Sequence, residues 1–225
     1  MPQGCWALVL FFALLILLPF FLADVMLTAL GDLGLTAQQS LLAALGIFFG
    51  SAVNIPVTKL EREEPVQFRQ PDMFGFYRLK FRPAQRKSYT LLAVNLGGCV
   101  IPVLLSLYQI NRLFTSGLTP VIWAVLVATA INSYICYRVA KPVQHMGIAM
   151  PPLVPALVAA ACALILQPDH APVIAFISGV MGPLIGADFF HLKDISRIST
   201  GVASIGGAGT FDGIVVSGII ATLLA

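Results

Sequence analysis

The chain has 225 residues, of which 58% are hydrophobic and only 10% charged, and its mean hydropathy is +0.91. A soluble domain carries about 25% charged residues, so composition excludes an ordinary soluble fold and predicts an all-α polytopic membrane protein whose helices satisfy their own backbone hydrogen bonds in lipid. The net charge of +3 is too small to suggest a nucleic-acid partner.

In chain order, the hydrophobic pattern predicts seven transmembrane spans, at about residues 5–29, 38–56, 89–111, 116–138, 150–167, 171–191 and 203–224, forming one membrane domain over 1–225. The first span has no basic residue ahead of it, and its apolar run from Trp6 to Leu22 is longer than a signal-peptide core, so it is expected to stay as a helix. Between spans two and three lies the one sizeable polar segment, a loop over about 57–88. Within it, Tyr77-Arg78-Leu79-Lys80-Phe81-Arg82 alternates with the period of a strand. Together with Val57 to Arg62 it predicts a small β-hairpin turning in the Pro71 to Gly75 region. That hairpin reads as a docking or gating element, as a basic and aromatic face on anionic lipid, or as a solvated connector.

Lys and Arg set the expected orientation. Eight of the 13 fall between Lys59 and Lys87, Arg138 and Lys141 follow span four, and Lys193 and Arg197 separate spans six and seven. If the spans alternate, all 12 lie on one side and the opposite loops keep only Arg112. The positive-inside rule then puts the N-terminus in the cytoplasm and the C-terminal Ala225 outside, in a prokaryotic cytoplasmic membrane.

Most chemistry-bearing residues point nowhere in particular. Cys5, Cys99, Cys136 and Cys162 stand singly in apolar sequence and read as buried thiols. His145, His170 and His191 make no metal-binding pattern, so no metal is expected, and no P-loop or dinucleotide fingerprint implies a cofactor. Asn54, Asn95, Gln109 and Asn132 are polar residues within spans, suited either to lining a cavity or to bonding helices together.

Two aspartates stand apart. Asp188, in Gly186-Ala187-Asp188, and Asp212, which ends the run from Gly206 to Gly213, sit in the last two hydrophobic stretches, where an ionised carboxylate is costly and usually functional. Asp188 precedes Lys193 by five residues, roughly 7 Å in from the cytoplasmic end, and Asp212 lies roughly 12 Å in if span seven is helical from Ser204. Two carboxyls at similar height in a low-dielectric site cannot both ionise, so one keeps its proton and the pair can hold a water between a general base and a general acid. The glycines around Asp212, namely Gly207, Gly209 and Gly213, leave room for a substrate backbone. Pro151, Pro152 and Pro155 at the start of span five free backbone carbonyls that an extended peptide can pair with. The structural alternative makes Asp212 a helix cap and Asp188 an interfacial acid beside Lys193 or Arg197.

The stretches NIPV at 54–57, VNLGGCVIPVLLSLY at 94–108, GIAMPPLVPAL at 147–157, GADFFHLKDI at 186–195 and SIGGAGTFDGI at 204–214 resemble a family of prokaryotic membrane proteins known by a domain-of-unknown-function label. More distantly, the two aspartates are similar to those of the presenilin and signal peptide peptidase type of intramembrane aspartyl protease. That resemblance implies Asp188 and Asp212 as catalytic acids, and Pro155, Ala156 and Leu157 as a substrate-side element with a membrane-embedded peptide as substrate. The chain departs from the pattern in that Thr210 and Phe211 separate Gly209 from Asp212, Pro155-Ala156-Leu157 precedes the aspartates, and seven spans stand in place of nine. Three functions follow as expectations: intramembrane proteolysis, ion-coupled transport and a non-catalytic scaffold.

Overall fold

The computed structural model describes residues 3–71, 77–143, 147–195, 202–207 and 212–225. Helix α1 (Gln3–Asp32) turns through Gly34, at φ +72°, into α2 (Ala37–Gly50). Thr36 and Gln39 start α2 with a reciprocal capping box, each side chain accepting from the other's backbone N–H, at 3.3 Å and 3.0 Å. Past Gly50 the chain leaves the helix and enters β1 (Asn54–Pro71), which pairs antiparallel with β2 (Tyr77–Asn95), from Asn54 opposite Asn95 to Pro71 opposite Tyr77.

This hairpin is far longer than the one expected from sequence. It takes Asn54 to Pro56 from predicted span two and Tyr89 to Asn95 from predicted span three, because a short apolar run reads the same whether it is a buried strand or the end of a helix. The tip, residues 72–76, lies outside the described residues and holds most of the predicted turn.

From β2 the chain passes through a π-helical turn, Leu96–Val100, into α3 (Ile101–Thr115), then α4 (Thr119–Val139). A short antiparallel pair, β3 (Lys141–Val143) and β4 (Gly147–Ala149), leads to α5 (Leu153–Leu166). A single 3-10 turn, Pro168–His170, opens α6 (Ala171–Pro183), which unwinds into a second π-helical turn, Leu184–Phe189, before the one-turn α7 (Leu192–Ile195). Strand β5 (Val202–Ile205) then pairs parallel to β2, Leu91 to Val94 opposite Val202 to Ile205, and α8 (Gly213–Leu224) ends the fold.

Among the described residues, three helical stretches are long and apolar enough to cross a membrane: Leu96–Thr115, Thr119–Val139 and Pro168–Asp194. Helices α2, α5 and α8 are apolar but have 14, 14 and 12 residues, about 20 Å at the helical rise against a hydrocarbon core of about 30 Å. Predicted span seven is the clearest departure. Its first residues form β5 and a turn, and the helix begins only at Gly213, so Asp212 does not sit two turns inside a helix.

Helix α6 is the centre of the bundle, with every residue from Ile174 to Val180 buried against α4, α5 and α8. A Cβ on Gly179 would lie 3.1 Å from the Cα of Gly218, so α6 and α8 meet backbone to backbone. Such small-residue contacts drive helix association where lipid leaves no hydrophobic difference to exploit. Asn132 of α4 ties this core by its amide: Nδ2 donates to the carbonyls of Pro155 (3.1 Å) and Ser178 (2.8 Å) on two neighbouring helices. Interhelical hydrogen bonds in a membrane contribute about 0.6 kcal/mol each on average and up to about 1.7. Asn132→Ala is therefore expected to destabilise the protein by about 1–3 kcal/mol in a detergent-unfolding titration; a loss below about 0.5 kcal/mol would show that this bridge contributes little.

Candidate functional site

Asp188 and Asp212 each sit at a break in helical regularity. Pro183 lacks the N–H that would continue α6, and the chain widens into the π turn that carries Asp188. That turn is pressed against α4 at Gly186, where a Cβ would fall on the Ser133 carbonyl oxygen and 2.8 Å from the Cβ of Cys136. Asp188 is half-buried, between the buried Ala187 and the exposed Phe189. His191, buried one turn on, brings Nδ1 to 3.0 Å from the Ala187 carbonyl and lies against Tyr137 with ring centroids 5.0 Å apart, so it packs inside the protein.

Asp212 is buried and serves as the N-cap of α8, its Oδ2 accepting from the Ile214 N–H at 3.3 Å. Ahead of it, β5 ends in a turn closed by the Gly207 N–H on the Ser204 carbonyl at 3.3 Å, with Gly206 in the left-handed region at φ +68°. Only glycine takes that conformation without strain, and a Cβ there would also meet the Cβ and backbone N of Cys99 at 2.7 Å and 2.8 Å.

Gly206 joins the two acids. Its backbone lies close to the Asp188 carboxyl, and the two carboxyls lie within electrostatic reach of each other. On its other side Gly206 rests on Gly98 of the first π turn. A Cβ at Gly98 would collide with the Gly206 carbonyl oxygen and stand 3.2 Å from the Cβ of Asp212. The buried thiol of Cys99 lies within electrostatic reach of both carboxyls, and that of Cys136 within reach of Asp188.

The other sequence-predicted residues are placed unequally. Gly207 packs on the Ser204 side chain, Gly213 has open space where a Cβ would be, and Gly209 lies outside the described residues, as does Arg197. Pro155 and Ala156 are fully buried in the bundle, with the Pro155 carbonyl taken by Asn132, while Leu157 is exposed. Among the described residues no group of three or more His, Cys, Asp or Glu is arranged to hold a metal ion.

Gly98 was not assigned a role from sequence; Gly206 entered only as the first residue of the glycine-rich run, and Cys99 only as a buried thiol. The available signal was the Gly97-Gly98 pair, two residues after Asn95 and inside the predicted third span. Asn95 is fully buried and holds that pair in place: its Oδ1 accepts the Gly98 N–H (2.7 Å), while Nδ2 donates to the Ser51 carbonyl (2.7 Å) and to Asn54 Oδ1 (3.0 Å). Asn54, Asn95 and Asn132 thus fasten segments together, as does Gln109, whose Nε2 donates to the Leu33 carbonyl at 2.8 Å.

The class so defined is a helical membrane protein with two acids, from its last two apolar segments, gathered around one glycine turn. The chain belongs to the DUF1614 family of proteins of unknown function, whose model matches residues 48–224 and so covers every residue of this site. No curated protein and no solved structure matches it.

The glycines should respond differently to a methyl group. Gly206→Ala forces a left-handed alanine, about 1–2 kcal/mol, as well as the contact with Cys99, so a loss of about 2 kcal/mol or more is expected in thermal or detergent unfolding. Gly213→Ala, at the first position of α8 with nothing near it, is expected to be neutral or to gain up to about 1 kcal/mol. Equal responses would mean that the Gly206 turn is not under the constraint described.

Proposed function

We propose that this protein is an intramembrane aspartyl protease in which Asp188 and Asp212 hydrolyse a peptide bond of a membrane-embedded substrate. The observation that carries the reading is the electrostatic proximity of two carboxyls delivered by separate segments to the surroundings of Gly206. In this reading the pair shares one proton, since two like charges in a low-dielectric site do not ionise together. The ionised carboxyl takes a proton from a water while that water's oxygen bonds to the scissile carbonyl carbon. The protonated carboxyl then gives its proton to the amide nitrogen as the carbon–nitrogen bond breaks.

Strand β5 supports a peptide substrate. Among the described residues it pairs in the β1-β2-β5 sheet with β2 alone, and an extended segment can add to its other edge by main-chain hydrogen bonds. The proposal places seven apolar segments across or within a prokaryotic cytoplasmic membrane, with the N-terminus and the β1–β2 hairpin in the cytoplasm and the C-terminus outside, from the distribution of Lys and Arg. It requires no metal or cofactor.

The unwound turn at Asp188 also favours a second reading, an ion-coupled carrier, because a broken helix beside an acid is how many transporters hold a coupling ion. Cleavage of a single-span reporter in proteoliposomes separates the two. Asp188→Asn and Asp212→Asn are each expected to lower the cleavage rate at least about 100-fold, the lower range of general acid–base catalysis, with unchanged helical circular dichroism. A variant that keeps cleavage removes its aspartate from the mechanism. Solute uptake that depends on pH and on both aspartates, without cleavage, would establish the carrier instead.

A further inference from the structure

One set of contacts near the site has no part in the chemistry above. Ser204 of β5 donates through Oγ to Asn54 Oδ1 at 2.6 Å, and Asn54 Oδ1 also accepts from Asn95 Nδ2 at 3.0 Å. Asn95 continues inward through its Oδ1 to the Gly98 N–H, at the point where Gly98 touches both Gly206 and the Cβ of Asp212. The direction of this chain is determined. Asn95 Nδ2 is spent on the Ser51 carbonyl and Asn54, so Asn54 must present its oxygen, and Ser204 must be the donor.

We propose that Asn54 is a positioning residue: its carboxamide oxygen latches β5 to the root of the β1–β2 hairpin and so holds the turn at Gly206 and Gly207 closed over Cys99. Three observations bear on this. Asn54 is the first residue of β1 and stands opposite Asn95, the last of β2, so the latch sits where the hairpin joins the membrane helices. The parallel ladder between β2 and β5 is four residue pairs long and ends at Ile205, leaving Ser204 as the last side-chain fastening before the Gly206 turn. Finally, Gly207 has no room for a side chain, because a Cβ would run into Ser204 and lie 3.2 Å from Asn54 Oδ1, so the turn closes directly onto the latch. Unlike the buried Asn95, Asn54 and Ser204 meet at the exposed rim, where a hydrogen bond breaks and reforms at little net cost. A latch that opens without unfolding the bundle is therefore available, and it would uncover Cys99 toward the side that carries the hairpin. The effect on catalysis rests on the protease reading, whereas the latch itself does not.

Cys99 reports on the latch without any cleavage assay, since it is buried under the Gly206 turn. In a variant with Cys5, Cys136 and Cys162 replaced by serine, reaction of Cys99 with a charged, water-soluble methanethiosulfonate is followed in detergent and in vesicles. Ser204→Ala and Asn54→Ala are each expected to speed labelling about tenfold. Asn54→Asp keeps an acceptor oxygen in the same place and is expected to label as slowly as the parent. Slow labelling in both alanine variants would overturn the latch. Fast labelling in Asn54→Asp would do so as well, because that variant keeps both the bulk and the acceptor oxygen to which the latch is assigned. The unfolding midpoint of Ser204→Ala, expected within a few degrees of the parent, separates opening from loss of fold. These results stand whether or not the aspartate variants abolish cleavage, so the two proposals fail independently.

Discussion

The close approach of Gly98 to Gly206 is the contact on which the rest of the site depends. Neither residue tolerates a side chain there. Without that approach Gly206 does not come close to Asp188, and Asp212 does not come to rest against the π turn at Gly98. Gly97, the next residue in the same π turn, makes the equivalent contact on its other side, where a Cβ would strike the Ile47 carbonyl and the Ser51 N–H at the end of α2. A single turn of irregular helix is thus clamped between α2 and the Asp212 segment. In a bilayer, where apolar side chains gain little from leaving lipid, backbone-to-backbone packing of this kind is among the few strong sources of specificity.

The irregular segments need partners for their polar backbone groups, since lipid offers none. Those partners come from within. Asn95 takes up the Gly98 N–H and the Ser51 carbonyl, Asn132 the carbonyls of Pro155 and Ser178, and Gln109 with Arg112 the Leu33 carbonyl at the opposite end of the molecule. Each carboxamide stands next to a place where a proline, a glycine pair or a tight turn has interrupted the regular hydrogen-bond ladder. The interruptions and the amides form one design: the first creates the site's shape and the second makes it stable in a non-aqueous surrounding.

Asp212 combines a structural and a chemical position. As the N-cap of α8 it meets the alternative expectation for this residue, and it is also held against Gly98 within electrostatic reach of Asp188. A cap is a rigid mount, because the backbone N–H that donates to the carboxyl also fixes its direction. Helix capping and proximity to the second acid are therefore compatible, and neither excludes the other.

Composition and hydropathy alone determined that this chain is a membrane protein, located its apolar segments to within several residues, and singled out Asp188 and Asp212, because the cost of placing polar groups in lipid is a property of each residue and needs no fold to express it. The strand alternation around Tyr77 to Arg82 likewise announced a hairpin. What only the tertiary structure decided was where helix gives way to strand in Tyr89 to Asn95 and in Val202 to Ile205. Both runs are apolar enough to belong to a span, and they become strands by pairing, Tyr89 to Asn95 with β1 and Val202 to Ile205 with β2, the latter partners 111 residues apart in the chain (202 − 91). The meeting of Gly98 with Gly206 belongs to the same category. A glycine in a sequence records only that a side chain is absent, and what fills the vacated space is settled by the packing of distant segments.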